Sequence, residues 1–252
     1  MNGEWSNKPD YEFAALVEEG LRNQEKLLQD KFLKPIKITD VAIKKIPYIE
    51  YPGFSKDECM ELLQLERKLL TIAKNENLSR EVALTLRLDK ENFQNDEDRI
   101  AITMGNDYEV DLYQDTKTYH LLQSANGIVL INMHNHPRNS TFSTNDITFF
   151  LREEKIRMLI LLSNKGKVEF ISRNDNYDYN KCINLLTDAT RKVAANKITK
   201  RGKLLVDQLS VKQKIEIAKL WLKNIHKYGL IYGQSINQVT SKKKVIQNEK
   251  HR

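Results

Sequence analysis

Cysteine is scarce in this 252-residue chain, present only as Cys59 and Cys182. The two lie far apart and in no metal-type spacing, which suggests neither a disulfide framework nor a thiolate zinc site, so both read as small buried hydrophobes. Long apolar runs are also absent. No window approaches the roughly 18 uninterrupted apolar residues of a membrane span, and the opening MNGEWSNKPD has neither the basic start nor the apolar stretch of a signal peptide. The expectation is a cytoplasmic protein without membrane contact. A composition of 40% hydrophobic, 30% charged and 8% aromatic residues excludes a wholly disordered or fibrous chain.

Acidic residues are missing from the C-terminal quarter. Residues 191–252 hold 16 Lys and Arg against 3 Asp and Glu, a net of +13, and residues 1–190 hold 25 against 31, a net of −6; together they give the formal +7 of the chain. A basic appendage on a mildly acidic body fits nucleic acid or an acidic partner, although Lys-rich helices are more often simply solvated faces.

Three regions follow from the patterning: helical residues 1–78, an α/β domain over 79–175, and basic helical residues 176–252. Tyr11 to Lys34 carries Phe13, Leu16, Val17, Leu21, Leu27, Leu28 and Phe32 at helical spacing. Ser55-Lys-Asp-Glu58 fits a capping box that opens a second helix through Leu62, Leu65, Leu69 and Ile72. From Arg80 the period becomes two: Val82, Leu84, Leu86 and Leu88 alternate with Ala83, Thr85, Arg87 and Asp89, the pattern of a half-buried strand. Ile100 to Met104 is a second strand, Thr116 to Ala125 a helix, Gly127 to Met133 an interior strand, and Ile156 to Ser163 a buried strand turning at Asn164-Lys165-Gly166 into a hairpin partner. From Asn180 to about Gln234 the pattern is helical throughout, and the last dozen residues read as a frayed basic tail.

The informative segment is INMHNHPRNSTFSTNDITFF. His134 and His136, one residue apart on an extended backbone, project from the same side about 7 Å apart at Cα. Asp146 follows ten residues later, where the next helix should begin, and Ser143 stands three before it. A loop folding back makes a His, His, Asp set with one open position, the composition of a hydrolytic rather than a structural zinc site. A carboxylate outside the ligand set is then needed as base. Glu81, opening the first strand, stands beside the histidines if the two strands pair.

Glu81, then His134-Asn135-His136-Pro137, then Ser143-Thr144-Asn145-Asp146 resembles the JAMM motif of the JAB/MPN metalloprotease superfamily, in the wording of its bacterial RadC-like and phage-type members. The resemblance covers Arg80 to Ser172. It implies a three-layer α/β (α+β) domain with a central mixed sheet. His134, His136 and Asp146 would bind Zn²⁺, Glu81 would be the general base for the water that the metal activates, and Ser143 would steady the oxyanion. The implied activity is hydrolysis of peptide or isopeptide bonds, often beside a ubiquitin-like C-terminus. One departure stands out: six residues (PRNSTF) separate His136 from Ser143, where the family usually has seven.

The blander readings are these. A lone His-x-His on a strand is more often a packed pair than a ligand set, and a strand-opening Glu is usually solvated; the ordered run through Pro137, Ser143 and Asp146 is what favours chemistry. His120, His226 and His251 are not needed as ligands, Trp221 reads as a core anchor, and Tyr177 and Tyr179 are candidates for lining a substrate groove. Two other classes compete: a nucleic-acid-associated protein that uses the basic C-terminal region, as RadC-like proteins have been suspected to be, and a non-catalytic scaffold that binds a protein partner.

Overall fold

Ser55 accepts the Glu58 N–H, and the Glu58 carboxylate accepts the Ser55 N–H, so a capping box starts the longest helix among the described residues. The computed structural model describes residues 35–138, 140–195 and 209–235. The lead-in helix expected over 11–34 and the tail at 241–252 lie outside them. In chain order the elements are α1 (Asp40–Lys44), α2 (Lys56–Asn75), β1 (Val82–Arg87), β2 (Ile100–Met104), α3 (Thr116–Ser124), β3 (Leu130–His136), α4 (Thr144–Arg152), β4 (Ile156–Ser163), β5 (Val168–Arg173), α5 (Tyr179–Ala194), α6 (Val211–Asn224) and β6 (Leu230–Gln234). No helix among the described residues is long and apolar enough to cross a membrane.

The strands form one mixed sheet in the order β2-β1-β3-β4-β5-β6, with β3 and β4 parallel and every other pair antiparallel. A parallel pair needs a crossover, and α4 supplies it. Alternation along the strands then builds two cores. Val82, Leu84 and Leu86 of β1, Ile131 and Met133 of β3, and Met158, Ile160 and Leu162 of β4 pack under α2 through Leu62, Leu69 and Leu70. Ala83, Leu130, Leu159, Leu161 and Ile171 face the other way, onto Leu122, Phe150 and Trp221. The fold is therefore a three-layer α/β/α sandwich of the α+β class.

Two expectations need correction. The strand at Val82–Arg87 is buried along its whole length rather than on one face. Its alternate residues are covered by the second helix layer and satisfied there: Thr85 accepts from Asn132 Nδ2 at 3.0 Å, and Arg87 pairs with Asp89 and Ser124. The stretch to Gln234 is not helical throughout. Gly229, at φ 75°, ends a short 3₁₀ turn at Ile225–Tyr228 and sends the chain back as β6 against β5. A Cβ there would lie 2.2 Å from the Asn176 backbone, so glycine is required. The C-terminal segment thus completes the sheet, and α2 and α6 are layers of the same sandwich. Trp221 is fully buried, its Nε1 donating to the Cys182 carbonyl at 3.0 Å, and both cysteines are buried and free.

Candidate metal centre

The site forms where β1 and β3 run past each other. The antiparallel register pairs Ala83 with His134; continued two residues, it sets Glu81 opposite His136. Ala83 faces the second core, so Glu81, two residues before it, shares that face, as do His134 and His136 by their spacing from Leu130. Asn135 points the other way and ties the same corner together. Its Oδ1 accepts the Val82 N–H at 2.8 Å, while its Nδ2 donates to the Arg80 carbonyl and to Asn164 Oδ1. Asn164 in turn donates to the carbonyls of Ile36 and Ser79. Every polar atom of this amide pair is engaged except the extra lone pairs, so β3 and the entry to β1 are rigidly joined.

Asp146 arrives from α4. Ser143 is the N-cap, its Oγ accepting the Asp146 N–H at 3.1 Å, and Asp146 Oδ2 accepts the Ser143 N–H at 2.6 Å. The capping box thus fixes the carboxylate in the first helical turn, where the helix dipole favours an anion. The carboxylate meets the imidazoles there. His134 Nε2 is 3.1 Å from His136 Nε2 and 3.3 Å from Asp146 Oδ1, and His136 Nε2 is 3.4 Å from Asp146 Oδ2. Around a tetrahedral ion with bonds of about 2.05 Å, ligand atoms stand about 3.3 Å apart. The separation of the two imidazole nitrogens fits such an ion, the Asp146 carboxylate turns a different oxygen to each ring, and the trio is a group that could hold a metal.

Electrostatics follow burial. Desolvation alone would raise the Asp146 carboxyl, but the two imidazoles outweigh it and hold the group well below the usual carboxylate range. Glu81, 7% exposed, is pushed up to about 8: burial dominates, His136 and Arg138 pull it down, and Asp146 raises it. A second ring contact comes from the short loop, where Ser140 Oγ lies 2.9 Å from His136 Nδ1.

All five residues singled out in the sequence, Glu81, His134, His136, Ser143 and Asp146, line one cleft of about 960 Å³ that opens between the 105–115 segment and the Lys214–Lys219 face of α6. Tyr177 and Tyr179 do not line it. They pack beside the second core, Tyr177 under the Arg173 guanidinium at 4.6 Å. His120 and His226 are exposed and away from the cleft. Sequence reasoning missed Asn135, Ser140 and the α6 wall; the strand alternation that turns Asn135 from the histidines was its one available signal. No family model, no curated protein and no solved structure matches the chain.

Proposed function

We propose that the protein is a JAMM-type zinc hydrolase of peptide or isopeptide bonds, including those beside a ubiquitin-like C-terminus. The observation that carries this reading is the convergence of His134, His136 and Asp146 at mutual separations of 3.1 to 3.4 Å with a buried carboxyl, Glu81, beside them. Zinc, which His134, His136 and Asp146 would hold, would supply a Lewis acid able to acidify water to a pKa of about 7, and a charge favouring the ionised form of Glu81.

The chain's own groups do the rest. Glu81 takes the proton of the attacking water on a carboxylate oxygen and delivers it to the leaving nitrogen. Ser143 Oγ, already an acceptor for the Asp146 N–H, keeps its own proton to donate toward the oxyanion that develops on the scissile carbonyl. The six-residue loop still delivers Ser143 to the cleft, because the strand end and the helix cap hold its two ends. Two buried free cysteines suit a reducing compartment, and the cytoplasm is part of the proposal.

The test has two arms. Elemental analysis of untagged protein is expected to give about one zinc per chain, lost in His136→Ala and in Asp146→Ala. Glu81→Gln is expected to keep zinc and lose hydrolysis of peptide and isopeptide substrates by at least about 100-fold. A wild type that takes up no zinc removes the metal centre from the reading; hydrolysis retained in Glu81→Gln removes Glu81 from the mechanism.

A further inference from the structure

The loop between His136 and Ser143 is held on several sides. The Pro137 carbonyl accepts the Ile36 N–H at 2.8 Å, and the Arg138 guanidinium reaches the Asp107 carbonyl and lies 4.5 Å over the Tyr108 ring. Thr141 Oγ1 donates to Glu169 Oε2 at 2.6 Å, and that carboxylate also accepts from the Tyr232 hydroxyl and from Lys167. Phe142, 1% exposed, plugs the second core. Neighbouring hydroxyls therefore do different work. Thr141 ties the loop to Glu169 of β5, while the hydroxyl of the exposed Ser140 reaches His136 Nδ1.

The Ser140 contact bears on the metal site. A neutral imidazole carries one N–H, and the nitrogen that offers its lone pair to a cation cannot be the one that carries it. With Nε2 directed at His134 Nε2 and Asp146, the proton belongs on Nδ1, which in a buried residue needs an acceptor. Ser140 Oγ is that acceptor. It also restrains rotation of the ring, because only one orientation satisfies Nδ1 and keeps Nε2 on the ligand side.

We propose that Ser140 is a positioning residue of the metal centre, holding the His136 imidazole through Nδ1 so that Nε2 stays aimed at a bound cation. The proposal rests on the metal-centre reading above. Outer partners of ligating imidazoles typically contribute 10- to 100-fold in metal affinity. Ser140 lies in the loop, outside the His, Ser and Asp pattern.

The test measures Zn²⁺ affinity by chelator competition at one pH for wild type, Ser140→Ala, Ser140→Thr and Thr141→Val, with imidazole ¹⁵N spectra of the zinc-loaded wild type. Expected are an affinity about 10- to 100-fold weaker in Ser140→Ala, recovery in Ser140→Thr, near-wild-type affinity in Thr141→Val, and a protonated His136 Nδ1 with a hydrogen-bonded shift. Ser140→Ala binding as tightly as wild type, Thr141→Val weakening to the same extent as Ser140→Ala, or a His136 bound through Nδ1 would each overturn it; the last needs no variant. A wild type that takes up no zinc overturns the metal-centre reading as well, whereas tight binding by both wild type and Ser140→Ala removes Ser140 alone.

Discussion

Glu66 gives the fold a pH dependence whose sign and size can be worked out. It projects from α2 into the first core, 1% exposed, where it accepts a hydrogen bond from the hydroxyl of Tyr51, itself 3% exposed and edge-on to Phe170 with ring centres 5.1 Å apart. Burial pushes the Glu66 carboxyl from an ordinary 4.5 up to about 8, with the Tyr51 hydrogen bond and Arg67 pulling back. A raised folded-state pKa means that the folded protein keeps a proton which the unfolded chain releases above about pH 4.5. The stabilisation is therefore complete below pH 4.5, is lost progressively as pH rises toward 8, and changes little beyond. At about 1.4 kcal/mol per pH unit the ceiling is about 5 kcal/mol, a large share of the 5–15 kcal/mol typical of a whole domain. Glu66→Gln keeps a similar shape and an acceptor for Tyr51 but has no proton to lose. Urea unfolding followed by circular dichroism from pH 5 to 9, with chelator present to silence the metal site, should give two curves within about 1 kcal/mol at pH 5, and at pH 8.5 the variant should be the more stable by about 2–4 kcal/mol. Parallel curves across that range would refute a protonated Glu66 in the core.

Three further outcomes are expected. Ser143→Ala should lower stability by about 1 kcal/mol through loss of the cap and turnover by about 100- to 1,000-fold through loss of the donor. Its zinc affinity should hold, because the Ser143 backbone N–H that steadies Asp146 Oδ2 remains; calorimetry and a steady-state assay read the two effects apart. Gly229→Ala should cost more than about 2 kcal/mol in urea unfolding, since the new methyl meets the Asn176 backbone at a positive φ; wild-type stability would contradict the turn geometry. Zinc at a hundred times its Kd should stabilise wild type by about 2.7 kcal/mol, read as a shift in thermal midpoint that EDTA reverses and that Asp146→Ala never shows.

Period-two and helical spacing made most of the central layer legible, because a strand's alternation and a helix's stripe are written locally. What failed was non-local. Ala83, Thr85 and Arg87 read as a solvent face since small and polar residues usually mark one. Their burial comes from the second core and helix α3, and from partners such as Asn132 and Ser124 that no local window contains. β6 was missed for a similar reason. Five residues after a lysine-rich helix carry too short a pattern, and what makes Leu230–Gln234 a strand is the free edge of β5; the Gly229 stop followed by Leu-Ile-Tyr was the available cue. Ser140 had no cue, since its role depends on how the loop turns.

The site residues were legible because their chemistry coincides with local backbone physics. Ser143-x-x-Asp146 is at once a helix start and the source of the carboxylate that meets the two imidazoles. The geometry that closes a capping box puts the Asp146 carboxylate at the helix N-terminus, with Oδ2 tethered to a backbone N–H and Oδ1 turned to His134. His134 and His136 are likewise placed by strand alternation, and Glu81 by the register that pairs Ala83 with His134. Each of these four groups is thus positioned by secondary structure, and the loop between His136 and Ser143 has only to span two ends already fixed. The connection can therefore differ in length and sequence without moving the clustered side chains, and Ser140 reaches His136 Nδ1 from within it.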